Sequence, residues 1–170
     1  MLGPHAFFSF TAVRDPAAHR AYNEWHQLDH RPENLALEGV RHGERWVRTP
    51  RAAAGSVVDA RLAPTHYVNC YWFAPPVADS VLAWQALAER SFQWGRRPDL
   101  TLCTRPLMGF FDVVKAYVAP RVLVSSEALP FRPHRGVLVH VLGLAQPHHP
   151  VVERLFHRYD TELLPAALAC

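Results

Sequence analysis

Lysine is nearly missing from this chain. Lys115 stands alone against arginines that are scattered singly or in pairs. No helix carries the basic stripe that a nucleic-acid surface needs, so the net charge of +3 reads as an arginine-rich composition without a nucleic-acid partner. Cysteine is scarce as well. Cys70, Cys103 and Cys170 are an odd, widely spaced set, which excludes a disulfide scaffold and points to a reducing, cytoplasmic compartment. No run reaches the ~18 apolar residues that cross a bilayer, and no membrane partner is expected. The start, Met1 to Phe8, has no basic segment and no small-residue cleavage site, so no signal peptide is expected. A Gly-rich phosphate loop, a Gly-x-Ser-x-Gly elbow and a Cys-x-x-Cys pair are all lacking, which leaves nucleotide, serine-hydrolase and zinc-ribbon functions without a motif.

What is present suits a globular protein. With 170 residues, 49% apolar and 19% charged, the chain is long enough for one ordinary domain or two very small ones. Residues 6–13 are aromatic and β-branched and predict a buried strand. Asp15-Pro16 supplies a cap and a first helical position. The helix they open should run to about Arg31, since Pro32 disfavours helical geometry before it. A turn at Glu33–Leu37 leads past Gly39 to a second strand at 40–48, then a surface loop at 49–64 and a third strand at 66–74. Pro75-Pro76 breaks that strand. A second helix follows at 77–94, with Val77, Val81, Trp84, Ala88 and Phe92 on its apolar side and Gly95 as its stop. Residues 107–118 read as a fourth strand. The order β-α-β-β-α-β predicts an α+β, ferredoxin-like unit over 1–118, an antiparallel sheet with both helices on one face.

Residues 119–135, with Pro120, Pro130 and Pro133, read as a linker. Gly136 to Leu144 predicts a fifth strand, and Pro150 to Leu168 a helix. These resemble a partial second copy spanning 136–170. A shift of 131 places Phe7–Pro16 on Leu138–Pro147. A shift of 133 places Pro32, Leu35 and Ala36 on Pro165, Leu168 and Ala169. A β-α fragment cannot close its own sheet, so its strand needs an edge in this chain or another. The uncovered sheet face also needs a partner, and a homodimer is the expectation.

The chemistry-bearing segment is Tyr22 to Val40. At about 100° per residue, Tyr22, Trp25, His26 and Asp29 share one side of the first helix, with His30 at its edge one turn above His26. An aromatic face interrupted by two imidazoles and a carboxylate has the character of a pocket wall. The same side chains also suit a half-buried core with satisfied polar ends, in which Asp29 holds an arginine or a histidine. Two histidines four apart can share a metal, but the glutamate of zinc-protease helices is missing from His26-Gln-Leu-Asp-His30, and no metal or other cofactor is assigned. Asn69 lies mid-strand among aromatics, where its amide either orients a substrate carbonyl or bonds a neighbour. His42, Glu44 and Trp46 share one strand face and read as surface pairs. Arg96-Arg97 suit the negative end of the second helix, and His140 reads as a core residue or one that faces a barrel lumen.

The segment resembles the first helix of the dimeric α/β-barrel superfamily, and within it the EthD-like proteins. The resemblance rests on His30-Arg31-Pro32, Leu35-Ala36-Leu37 and Gly39-Val40 after an aromatic-rich helix. It covers residues 6–118 in element order and about 25 residues in motif. It implies a cleft between sheet and helices, with His30 at the place of the family's histidine. His26 and Asp29 are additions particular to this chain. Relatives of this fold include cofactor-independent monooxygenases, cyclases, isomerases, haem enzymes and proteins without a reaction, so the fold alone sets no activity. The expected function is binding of a small apolar or aromatic molecule. His26 or His30 would act as general acid/base, Asp29 would orient an imidazole, and Tyr22, Trp25 and Asn69 would contact the ligand. A non-catalytic binding or assembly module and a histidine-ligated metal or haem protein are the alternatives.

Overall fold

The computed structural model describes residues 3–169. The chain divides into two compact units, Met1–Lys115 and Ala116–Cys170. Met1, Leu2 and Cys170, the residues that bear on the start and the end of the chain, lie outside the described residues.

The first unit is α+β. Strand β1 (His5–Val13) leads to Asp15, whose carboxylate accepts from the Ala17 N–H at 2.9 Å, and Pro16 opens a short 3-10 turn. Helix α1 (His19–Trp25) continues through a π turn, His26–His30, into α2 (Arg31–Leu35). Strand β2 (Val40–Val47) follows, then α3 (Pro50–Ala54), strand β3 (Tyr67–Phe73), helix α4 (Val77–Gln93) and strand β4 (Cys103–Asp112). The sheet order is β2-β3-β1-β4, and every neighbouring pair is antiparallel. This arrangement is compatible with a ferredoxin-like fold.

Several boundaries differ from expectation. Pro32 does not end the first helix. The π turn sends the Arg31 N–H to the His26 carbonyl, and Pro32 then falls in the first turn of α2, where a missing N–H costs little. The fourth strand lies earlier than 107–118. It begins at Cys103 and accommodates Pro106 because two residues, Arg105 and Pro106, oppose Thr11 in a bulge on an edge strand. It ends at Asp112, where the Val113 N–H donates to Pro4 O beyond the start of β1. Within 49–64, Thr49 caps the short helix α3.

Strand parity sets the core. Phe7, Ser9, Thr11 and Val13 of β1 stand beside Tyr71, Asn69 and Tyr67 of β3 on the face that meets the helices. Trp84 of α4 packs among Phe7, Tyr71, Phe73 and Phe110, with ring centroids 4.8 to 6.1 Å apart. The buried side of α4 runs Ser80–Leu87–Ser91 with Val81 and Trp84 beside it, whereas Phe92 is exposed, contrary to its expected place. Small Ser80 lets the helix approach Gly39, where an added Cβ would meet the serine side chain at 2.5 Å. The opposite sheet face carries Phe8 edge-on to Trp72 and Phe111, at 6.2 and 5.9 Å.

The second unit holds a 3-10 turn at Leu129–Phe131, helix α5 (Pro150–Arg158), a second π turn at Tyr159–Leu163, and α6 (Leu164–Ala169). His149 caps α5 by accepting from the Val151 N–H at 3.2 Å. Tyr117 donates to Asp160 at 2.9 Å, and Arg121 donates to the Leu168 carbonyl at 2.9 Å. The expected strand at 136–144 does not form, and no ladder includes it among the described residues. Leu138 and Leu142 are exposed, and His140, read as a core residue, is exposed as well. The two π turns stand 133 residues apart, the same offset that aligns Pro32 with Pro165.

Candidate functional site

The site lies in the first unit, where α1, the π turn and α2 face β1, β2 and β3. Tyr22 is buried, with its ring 5.8 Å from that of Tyr67 and nearly parallel to it. His26 is 3% exposed and packs 6.2 Å from Tyr22, edge-on to Trp25. Its Nδ1 has no hydrogen-bond partner. His30 follows at 5.3 Å from His26, stacked on Trp25 at 4.6 Å with an interplanar angle of 22°, and edge-on to Tyr71 at 6.2 Å. The π turn widens the helix where these groups must share one side.

Asp29 does not hold an imidazole. Its carboxylate accepts from Arg96 Nε at 2.9 Å, and Glu33 pairs with the same guanidinium at 3.1 Å. Arg96 thus ties the end of α4 to the first helical segment, where it had been expected to serve only the helix end. Asn34 takes the orienting place. Its Nδ2 lies 2.6 Å from the His30 carbonyl and 3.2 Å from His30 Nδ1. Asn69 is buried on β3. Its Nδ2 reaches Ser9 O and Thr11 Oγ1 at a long 3.4 Å each, and its Oδ1 has no partner.

Arg45 was not anticipated. It is the register partner of Asn69 on β2, 8% exposed, with its guanidinium carbon 3.8 Å from the Tyr67 ring centroid and 5.5 Å from that of Tyr22. Its Nε and Nη2 have no partner, and no carboxylate pairs with it among the described residues. Strand parity held the signal. With His42, Glu44 and Trp46 on one face of β2, Arg45 must face the other, between Gly43 and Val47. Gly43 leaves room for Tyr71, since an added Cβ would meet that ring at 2.6 Å. The Tyr71 hydroxyl and the Trp25 indole N–H are also buried without partners.

The local field is positive. Burial pushes His26 down to about 2, aided by His30 and by the Arg45 guanidinium. Burial, then Arg97 and Arg105, pushes His30 down to about 4. Both imidazoles are therefore neutral at pH 7, hydrogen-bond acceptors of low basicity. Desolvation raises the Tyr22 and Tyr71 hydroxyls and keeps them protonated donors. Cys70 lies on the other sheet face, and burial lifts its thiol to about 12, which makes it inert as a nucleophile. His26 and His30 acquire no third ligand, since no group of three or more His, Cys, Asp and Glu side chains is placed to hold a metal among the described residues. Within the same residues, no helix is long and apolar enough to cross a membrane.

No protein-family model, curated protein or solved structure matches the chain.

Proposed function

We propose that this chain is a small-molecule-binding protein of the dimeric α/β-barrel type, EthD-like in its first unit. Its ligand, apolar or aromatic in body, sits between the sheet and α1–α2. The observation that carries this reading is the buried group of unpartnered polar atoms on His26, Trp25, Asn69 and Tyr71 amid aromatic rings. Natural interiors satisfy such atoms, so a cluster of them marks a place where something else binds. In the catalytic form, neutral His26 or His30 takes a proton from the ligand and returns it elsewhere, as in cyclisation, isomerisation or oxygenation of an activated ring. Asn34 positions His30, and Tyr22 and Trp25 supply flat walls. The matched offset of the π turns supports a second copy of the first helical segment. Tyr159 and Leu163 stand at the places of His26 and His30, so one copy alone carries the site. The aromatic face with Phe8, Trp72 and Phe111 supports pairing into a homodimer.

A second reading, a binding module without a reaction, is favoured by the low basicity of His26. A panel of aromatic small molecules, screened by thermal shift and then for turnover, separates the two. The catalytic reading expects a bound compound to be converted, with conversion lost in His26→Ala/His30→Ala. Compounds recovered unchanged from wild type decide for the binding module. Equal conversion by wild type and the double variant removes the histidines from the chemistry.

A further inference from the structure

We infer that Arg45 is the anchor for a carboxylate, so that the molecule bound in this site is a small anionic one with an aromatic or apolar body. The inference rests on the ligand site proposed above and names the substrate class it takes.

Three arginines near the site are engaged, whereas Arg97, beyond the end of α4, is only half-buried and keeps an unpartnered Nε. Arg31 donates to the Gly43 carbonyl at 3.1 Å and pairs with Glu44 at 3.4 Å. Arg96 is held by Asp29 and Glu33, and Arg48 donates to the Ala63 carbonyl at 2.7 Å. Arg45 is different. It is more than nine-tenths buried, two of its three nitrogens have no partner, and the groups around it are the rings of Tyr22 and Tyr67. Rings over a guanidinium return roughly 0.5–2 kcal/mol, well short of the several kcal/mol that desolvating a cation costs. A cation held in this way lacks its counter-charge.

The empty valences suit one occupant. Nε and Nη2 lie on one edge of the guanidinium, and a carboxylate accepts two parallel hydrogen bonds from such an edge. Trp25 and Tyr71 add unpartnered N–H and O–H donors on the same side of the sheet, against one unpartnered acceptor, Oδ1 of Asn69, the register partner of Arg45. Donors outnumber acceptors, as an oxyanion requires. Arg97 and Arg105 reinforce the positive field felt at His30. An anion seated on Arg45 offsets that field, adds to the effect of Asp29 at His30 and shifts the histidines upward. This gives a pH signature that an inert cavity lacks.

The test compares benzoate with benzamide, its neutral counterpart, on the intact chain at constant ionic strength, by thermal shift and calorimetry. The expected result is binding of benzoate at least about 30-fold tighter than benzamide, about 2 kcal/mol. Arg45→Met should abolish the preference while leaving the unliganded protein no less stable, because it removes an unpaired buried charge. Arg45→Lys keeps charge without the fork and should retain only part of the preference, so the result does not depend on one variant folding. Equal affinity for the two compounds overturns the anchor and leaves the aromatic site standing. Binding of neither overturns both. An undiminished benzoate preference in Arg45→Met assigns the anion to another cation and ends the proposal.

Discussion

At the scale of single residues the site is governed by the cost of burying charge. His26 and His30 both titrate below their unfolded value of 6.5, at about 2 and about 4. The unfolded chain therefore binds protons first as pH falls. Stability contributed by each histidine is fully present above about 6.5 and is lost between there and its folded value, at about 1.4 kcal/mol per pH unit. Urea unfolding from pH 7 to pH 4 should show this decline, and His26→Leu should flatten it. A flat wild-type profile would mean that the histidines are not desolvated. Gly43→Ala forces a methyl against the Tyr71 ring and should cost about 1–3 kcal/mol in the same assay. Tyr22, Trp25, His26 and His30 were legible because helical periodicity alone puts them on one side. An arginine was one of the partners open to Asp29, but that it would be Arg96 was not legible, since the two lie 67 residues apart. Arg45 was legible in principle from alternation, but nothing local reports that a charge lacks its partner.

Secondary-structure elements show where pattern succeeds and where it stops. The order of four strands and the two main helical regions followed from alternation, proline and capping signals, and the sheet agrees with them. The π turn had no such signal, because an extra residue in a helix leaves the residue types unchanged. The face of α4 was misjudged at Phe92 because burial there follows small residues: Ser80 and Ser91 allow close approach, and Trp84 fills the gap between. Trp84 carries the attachment of α4 to the sheet. Trp84→Ala should cost about 3–5 kcal/mol in chemical denaturation. Trp84→Phe should cost under about 1.5, since the indole N–H has no partner to lose. Equal losses in the two variants would show that packing of the Trp84 ring does not hold α4.

For the molecule as a whole, the question is what completes residues 136–144. The sequence pattern marks them as a strand, yet they belong to no ladder among the described residues. Strand propensity is a property of residues, whereas a strand is a property of a pair, and one sequence cannot name the second member. The proposed homodimer offers one. Sedimentation should give twice the chain mass, and hydrogen exchange should find the amides of 136–144 protected in the dimer. A monomer with fast exchange across 136–144 would make the segment a linker and remove the dimer from the proposal.

The stack of Trp25 on His30 gives the site an optical readout of its own. A protonated imidazole quenches an indole that it touches, and a neutral one quenches far less. Emission from Trp25, isolated by replacing the other four tryptophans with phenylalanine, therefore follows the protonation of His30. In the unliganded protein the signal should dim as pH falls through about 4. A bound anion should move that midpoint upward, so one cuvette titration reports occupancy and proton count together.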